Sequence, residues 1–183
     1  MKKALIILAD GFEDIEAITP TDILKRSGVD VKLVGIKSDT VTSAHGVTIQ
    51  TDTTLDKVTD LADAIVLPGG MPGAENLANS SKLKDMIVRM NEEGKIVAAI
   101  CASPALVLTP TGILKGRTAT CYPGLDANFT PDIKKSKDRV VQDGNIITSQ
   151  GPATAFVFGL KIAENLVGSQ KADMIASQML YQS

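Results

Sequence analysis

The sequence predicts an α/β fold: a mostly parallel sheet covered by helices on both faces, formed by one domain over residues 1–183. Three observations lead there. Short, almost wholly apolar runs recur along the chain, as strands buried on both faces require. Longer stretches with apolar residues at helical spacing alternate with them, which is the pattern of crossover connections. At 44% hydrophobic and 22% charged residues, the composition also suffices for a full core.

The apolar runs are Ala4–Ala9, Val31–Ile36, Ala64–Leu67, Ile96–Ile100, Arg117–Cys121 and Ile146–Ser149. Glu13–Ser27 is helical in pattern, with Pro20 as a kink and Gly28 as its stop. Lys82–Asn91 places Leu83, Met86, Ile87 and Met90 on one helical face, and Glu92-Glu93-Gly94 ends it. Ser103-Pro104 opens another helix, serine as cap and proline in the first turn. Thr154–Val167 reads as a central covering helix stopped by Gly168, and Ala172–Tyr181 as the last one. Two segments break the alternation. Val41–Thr51, centred on Ala44-His45-Gly46, is a small β excursion, and Val140–Thr148, split by Asp143-Gly144, is a hairpin.

Charge and cysteine usage narrow the function. Nineteen basic against twenty-one acidic residues give a net charge of −2, with no basic stretch interleaved with aromatics, so no nucleic-acid footprint is written here. No run approaches the roughly 18 apolar residues of a membrane span. Met1-Lys2-Lys3 before Ala4–Ala9 superficially resembles an export signal, but the run stops at Asp10 and reads as a first strand. Two cysteines, Cys101 and Cys121, make no disulfide scaffold and fit a reducing cytoplasm.

Cys101 is the residue on which chemistry would rest. Ile96–Ile100 turns at once into Ala102-Ser103-Pro104, so the cysteine sits where a strand ends and a helix begins. Amide groups and the helix dipole there favour a thiolate, and ligands of open α/β sheets bind at such strand ends. A cysteine in apolar company is equally an ordinary core filler. The segment Asp10-Gly11-Phe12-Glu13-Asp14-Ile15-Glu16 adds a partner. If Ile15, Ile18 and Ile23 mark the core face of its helix, Glu16 stands near the inner edge, whereas Glu13 and Asp14 read as a solvated first turn. A carboxyl buried beside a thiolate is pushed towards its protonated form, able to donate to sulfur and move a proton on a substrate. Gly69-Gly70, after the strand Ala64–Leu67, is either a tight turn or a source of amides for an oxyanion.

Taken with Leu67-Pro68-Gly69-Gly70, Ala98–Pro104 and Thr148-Ser149-Gln150-Gly151-Pro152, that acidic segment resembles the ThiJ/PfpI superfamily, most nearly its YajL and parkinsonism-associated (DJ-one) branch. The likeness runs in order from Lys3 to about Leu180. It implies a flavodoxin-like three-layer sandwich, a homodimer, and a low-pKa Cys101 paired with a protonated Glu16. It implies an oxyanion pocket from Gly69, Gly70 and the amide of Ala102, with no cofactor and no metal. The activities implied are a cofactor-free glyoxalase or deglycase acting on methylglyoxal, glyoxal or glycated adducts, and, as the alternative, an oxidative-stress sensor or chaperone working through Cys101 oxidation. The contact between protomers would come from Ala4–Ala9, Glu13–Ser27 and the His45 excursion, with Arg26 available for ion pairing.

Three departures from relatives bear on this. Tyr122 stands where some carry histidine, and is either a donor to substrate oxygen or a pocket wall. His45 stands where relatives often carry arginine near the dimer seam, and reads as a surface or interface residue. Ala102 replaces the histidine that follows the nucleophile in peptidase-like and amidotransferase-like members, which tells against a Cys-His hydrolase. Cys121 is a resolving thiol or a buried filler.

Overall fold

The computed structural model describes residues 1–181. In chain order its elements are β1 (Lys3–Leu8), α1 (Asp14–Arg26), β2 (Asp30–Gly35), the short β3 (Thr40–Thr42), β4 (Thr48–Gln50) and β5 (Thr53–Thr54), and β6 (Ala64–Leu67). Then come α2 (Gly73–Ala78), α3 (Ser81–Glu92), β7 (Ile96–Ile100), β8 (Thr118–Ala119), β9 (Lys134–Lys135), β10 (Val140–Asp143), β11 (Ile146–Ser149), α4 (Ala155–Val167) and α5 (Ser169–Gln178).

Seven strands form the central sheet in the order β10-β11-β7-β6-β1-β2-β5. Every neighbouring pair is parallel except the β10–β11 hairpin. Ala4 of β1 is flanked by Val31 of β2 and Ala64 of β6, and β1 therefore lies in the middle. Alternate residues along each strand serve opposite faces. Leu5, Ile7, Ile65, Leu67, Val97 and Ala99 pack with Leu83, Ile87 and Met90 of α3. Ala4, Ile6, Leu8, Val66, Ala98 and Ile100 pack with Ile23 and Leu24 of α1 and Phe158 and Ile162 of α4. Two cores explain why the central strands β6 and β7, and β1 after Lys3, are apolar throughout instead of alternating. The fold is the flavodoxin-like three-layer sandwich, and the chain passes from β1 outward to β2 and then back across to β6. That reversal opens a crevice at the carboxyl ends of β1 and β6.

The helices show how local sequence meets packing. α3 has the expected buried face, and Ser80 caps it by accepting the Leu83 N–H at 3.2 Å. α1 runs through Pro20 without interruption. Proline has no N–H, so the Glu16 carbonyl forfeits its helical partner, but the ring is buried against α4, where Gly159 leaves room: an added Cβ would lie 2.8 Å from Ile23 and 3.1 Å from Pro20. Ile15 and Ile18 do not mark the core face. They are 50% and 44% exposed, and the inward face consists of Glu16, Ala17, Pro20, Thr21, Ile23 and Leu24. Glu16 is thus more deeply placed than the inner edge.

Other expectations shift. The Val41–Thr51 excursion is the antiparallel β3–β4 hairpin, Thr40 opposite Gln50. Arg117–Cys121 does not join the central sheet. Only Thr118–Ala119 is a strand, paired with β9. Its N–H groups are taken by side chains: Thr118 donates to Asp143 Oδ2 at 2.8 Å and Thr120 to Thr148 Oγ1 at 3.0 Å, which removes the donors a ladder needs. The helix after Cys101 is a wide turn over Pro104–Leu108, closed by the Thr109 N–H on the Pro104 carbonyl. Ser103 does not cap it; already helical in conformation, it donates its hydroxyl to the Pro68 carbonyl. The last helix starts at Ser169 instead of Ala172 and ends at Gln178, and Tyr181 stacks on Phe156 with ring centroids 4.7 Å apart. Among the described residues no helix is long and apolar enough to cross a membrane.

Candidate active site

Three turns meet at the crevice, one after each of β1, β6 and β7. The Glu13 N–H donates to the Gly69 carbonyl at 3.1 Å, and Ser103 ties the third turn to Pro68. Cys101 itself has φ +65°, in the left-handed region, which costs a residue with a Cβ about 1–2 kcal/mol. The surrounding backbone holds it there: its N–H donates to the Ser149 carbonyl at 2.9 Å and its carbonyl accepts the Tyr122 N–H at 2.8 Å. Such a strained strand-to-helix corner lifts the side chain out of the sheet, as in a nucleophile elbow. Cys101 is half-buried.

Glu16 projects from the first turn of α1 with no exposed surface. Its Oε2 accepts the Gly69 N–H at 2.8 Å, and Oε1 has no well-aligned partner. Burial pushes the carboxyl up from 4.5 to about 7; the Gly69 N–H and the Cys101 thiol pull it down, and the charge of Glu13 adds to the rise. The thiol feels the same neighbours. Burial first, then the charge and hydrogen bond of Glu16, push Cys101 up to about 12, against the Gly70 and Ala102 amides. A depressed thiol is therefore not what an ionised Glu16 gives. The two groups compete for one proton, and with that proton on the carboxyl the repulsion is gone and a donor to sulfur takes its place.

The glycines have separate tasks. At Gly69 an added Cβ would lie 2.7 Å from Cys101 Cβ and 2.8 Å from Glu16 Oε2, so only glycine lets thiol and carboxyl approach. Its amide is committed to Glu16 and is not available to an oxyanion, contrary to the expected three-amide pocket. Gly70, at φ +86°, turns the chain so that its amide and that of Ala102 reach the sulfur. An open cleft of 330 Å³ lies above, walled by Met71, Tyr122, Pro123 and Leu125. Tyr122 is 48% exposed, its ring lies against Gly151, and its phenol has no hydrogen-bond partner among the described residues.

The remaining predicted residues divide. His45 Nδ1 meets Asp14 Oδ2 at 2.8 Å and Glu13 Oε2 at 3.7 Å, pinning the β3–β4 hairpin to the start of α1. The Asp14 hydrogen bond, then the Glu13 charge, raise the imidazole above its ordinary value. These three groups place donor atoms within 4.8 Å of one another. Arg26, by contrast, lies at the other end of α1, roughly 15 Å from Glu16 along the helix, and pairs with Asp22 at 2.9 Å. Cys121 is buried, its thiol pushed up to about 12 by burial. Sequence reasoning gave Ser103 only the part of a helix cap, and gave no site role to Ser149, Met71 or Leu125. Ser149 lies in a quoted motif, but its contribution is a backbone carbonyl, which no side-chain pattern reveals.

An open parallel sheet bearing a half-buried cysteine on a left-handed strand-to-helix corner, backed by a buried carboxyl, places the molecule among α/β proteins with a thiol–carboxyl pair at the sheet's crevice. The sequence profile of the DJ-1/PfpI family matches residues 2–165, and the chain belongs to that family. It is 40% identical over 182 residues to protein dj-1beta of Drosophila melanogaster, covering 98% of this chain and 97% of that one. A deglycase of Pyrococcus horikoshii is 36% identical over 158 residues, covering 85% of this chain and 94% of the relative. The solved structure of oxidized Toxoplasma gondii DJ-1 superposes with a TM-score of 0.96 at 37% identity, covering all of both chains. The chain spans only 41% and 46% of the length of the two Arabidopsis thaliana DJ-1 homologs, B and A.

Proposed function

We propose that this chain is a cysteine-dependent, cofactor-free glyoxalase or deglycase in which Cys101 is the nucleophile and Glu16 moves the proton. The observation that carries the reading is the Glu16–Cys101 pair: a buried carboxyl poised near 7 in contact with a cornered thiol. In the active form the proton sits on Glu16 and the sulfur is a thiolate. Sulfur attacks the aldehyde carbon of methylglyoxal or glyoxal, and the new alkoxide takes the Glu16 proton, giving a hemithioacetal. The Glu16 carboxylate then removes the proton from that carbon, and its return to the adjacent carbon through an enediol leaves a thioester. Water releases the 2-hydroxy acid and restores the thiol. The amides of Gly70 and Ala102 meet the oxyanion, and Tyr122 donates to the substrate carbonyl. Attack on a glycated cysteine, lysine, arginine or nucleotide by the same thiolate is the deglycase variant. The deglycase of Pyrococcus horikoshii among the relatives supports an enzyme.

The second reading is an oxidative-stress sensor or chaperone. Its support is the same thiol and a relative solved in oxidized form, since a thiolate takes one oxygen from each of two peroxide molecules, through a sulfenate and with two waters released, to become a sulfinate that Glu16 can hydrogen-bond. We place the protein in the reducing cytoplasm on either reading. We further propose a homodimer through α1 and the β3–β4 hairpin, where Ile15, Ile18 and Val47 are about half exposed. β1, buried mid-sheet, takes no part, and Arg26 is already paired. The deciding experiment is product analysis of methylglyoxal without glutathione. Lactate from the wild type and none from Cys101→Ser supports the enzyme; equal or no turnover by both removes it.

A further inference from the structure

Beside the Cys101 cleft lies a larger recess of 420 Å³, and Pro123 is the wall they share. Cys121 and Phe129, 5% and 6% exposed, form much of its apolar lining. The Cys121 thiol donates to the Tyr122 carbonyl at 3.5 Å and is otherwise part of that wall.

Two further features point to an occupant. Thr120 lines the recess, is 1% exposed, and its Oγ1 has no hydrogen-bond partner. Its backbone is satisfied, since the N–H donates to Thr148 Oγ1, and the hydroxyl alone is orphaned. Buried hydroxyls without partners are rare in native proteins, and a bound molecule is one way to complete them. The second feature is charge. Lys135 and Lys137 both line the recess; Asp126 neutralises Lys135 at 3.3 Å, whereas Lys137 has no ion-pair partner among the described residues. Gln150 donates to the Lys137 carbonyl at 2.8 Å and fixes that stretch of backbone. The recess thus joins an apolar wall, one uncompensated cation and one unsatisfied hydroxyl.

We propose that this recess is a second binding site, for a small organic anion that carries an apolar group. Its carboxylate pairs with Lys137, a further oxygen meets the Thr120 hydroxyl, and the apolar part covers Phe129, Pro123 and Cys121. An inorganic anion would leave the wall wet, and a neutral hydrophobe would leave the lysine and the threonine unpaired. The site is separate from the proposed chemistry at Cys101 and does not depend on it.

The test is an amide-resolved NMR titration of the full chain with 3-phenyllactate, and with 3-phenylpropane-1,2-diol as its neutral counterpart. The acid is expected to give saturable shifts at Thr120, Cys121, Phe129 and Lys137, with a Kd of about 1 mM or tighter and about tenfold weaker binding of the diol. Lys137→Gln, at an exposed position, should weaken the acid about tenfold, as the loss of a charge-assisted hydrogen bond does. Thr120→Val should weaken binding while Tm stays the same or rises, because the free protein loses no hydrogen bond. Shifts confined to Gly70, Cys101 and Ala102, equal binding of acid and diol, an unaffected Lys137→Gln, a lowered Tm in Thr120→Val, or no saturable shift with about 10 mM acid would each overturn the proposal.

Discussion

Glutamine at position 16 keeps the size of the side chain and its acceptor for the Gly69 N–H, but cannot take up or release a proton. In the wild type, burial raises the Glu16 carboxyl from 4.5 to about 7. The folded chain therefore keeps this proton at pH values where the unfolded chain has lost it. Stability linked to Glu16 is full below the unfolded value and disappears as pH rises through the folded one. At 1.36 kcal/mol per pKa unit, the displacement is worth about 3 kcal/mol, a large part of the stability of a single domain. Urea unfolding of both chains under reductant, extrapolated to water at a series of pH values, gives the measurement. Between about pH 4 and pH 8 the wild type should lose about 3 kcal/mol relative to Glu16→Gln. His45 is also raised and also loses stability as pH rises, but it is common to both chains and cancels. Parallel stability curves for the two proteins would refute the reasoning, because they would mean that the buried carboxyl does not titrate differently on folding.

Three further outcomes follow from the site. Iodoacetamide should alkylate the half-buried Cys101 in the native protein, in the wild type and in Glu16→Gln alike, and reach the buried Cys121 only after unfolding; mass spectrometry of labelled peptides decides, and equal native labelling of both thiols contradicts it. Tyr122→Phe should slow glyoxal conversion about tenfold while leaving peroxide oxidation of Cys101 unchanged; a parallel fall in both rates would make the ring a shaper of the pocket, and no change in either would make it wall. Ile18→Glu should convert a homodimer to a monomer in light scattering without loss of helix content, and a wild type already monomeric at micromolar concentration would dismiss that interface.

The central sheet was legible because β6 and β7 are apolar at every position, β1 at every position after Lys3, and β11 is buried throughout, a pattern that a sheet with two buried faces makes. The Cys101 corner was legible from its place between Ile100 and Ser103-Pro104. Glu16 was found for a mistaken reason. Ile15 and Ile18 point outward, and the true inner face contains a glutamate, a proline and a threonine that no hydrophobic periodicity would select. The six-residue α2 carried no readable period, and β5 and β8, two residues each, exist through tertiary pairing more than through their own propensity. Arg117–Cys121 looked like a sheet strand until Asp143 and Thr148 took its donors, a long-range event invisible in local sequence. That the Gly69 amide serves Glu16 instead of an oxyanion likewise depends on a partner 53 residues away.

The left-handed backbone at Cys101 has a consequence for how this position evolves. Glycine there would be freed of the steric cost of a Cβ, about 1–2 kcal/mol, offset in part by the roughly 0.5–1 kcal/mol of extra backbone freedom it loses on folding. On backbone terms alone, folding therefore leans slightly towards glycine at this corner, with only the packing of the half-buried sulfur against the core on the other side. A descendant released from selection on its chemistry could shed the thiol without endangering the fold. Wherever the cysteine persists across distant lineages, its retention is a record of selection on reactivity, separable from selection on stability in a way that no residue of the two cores allows.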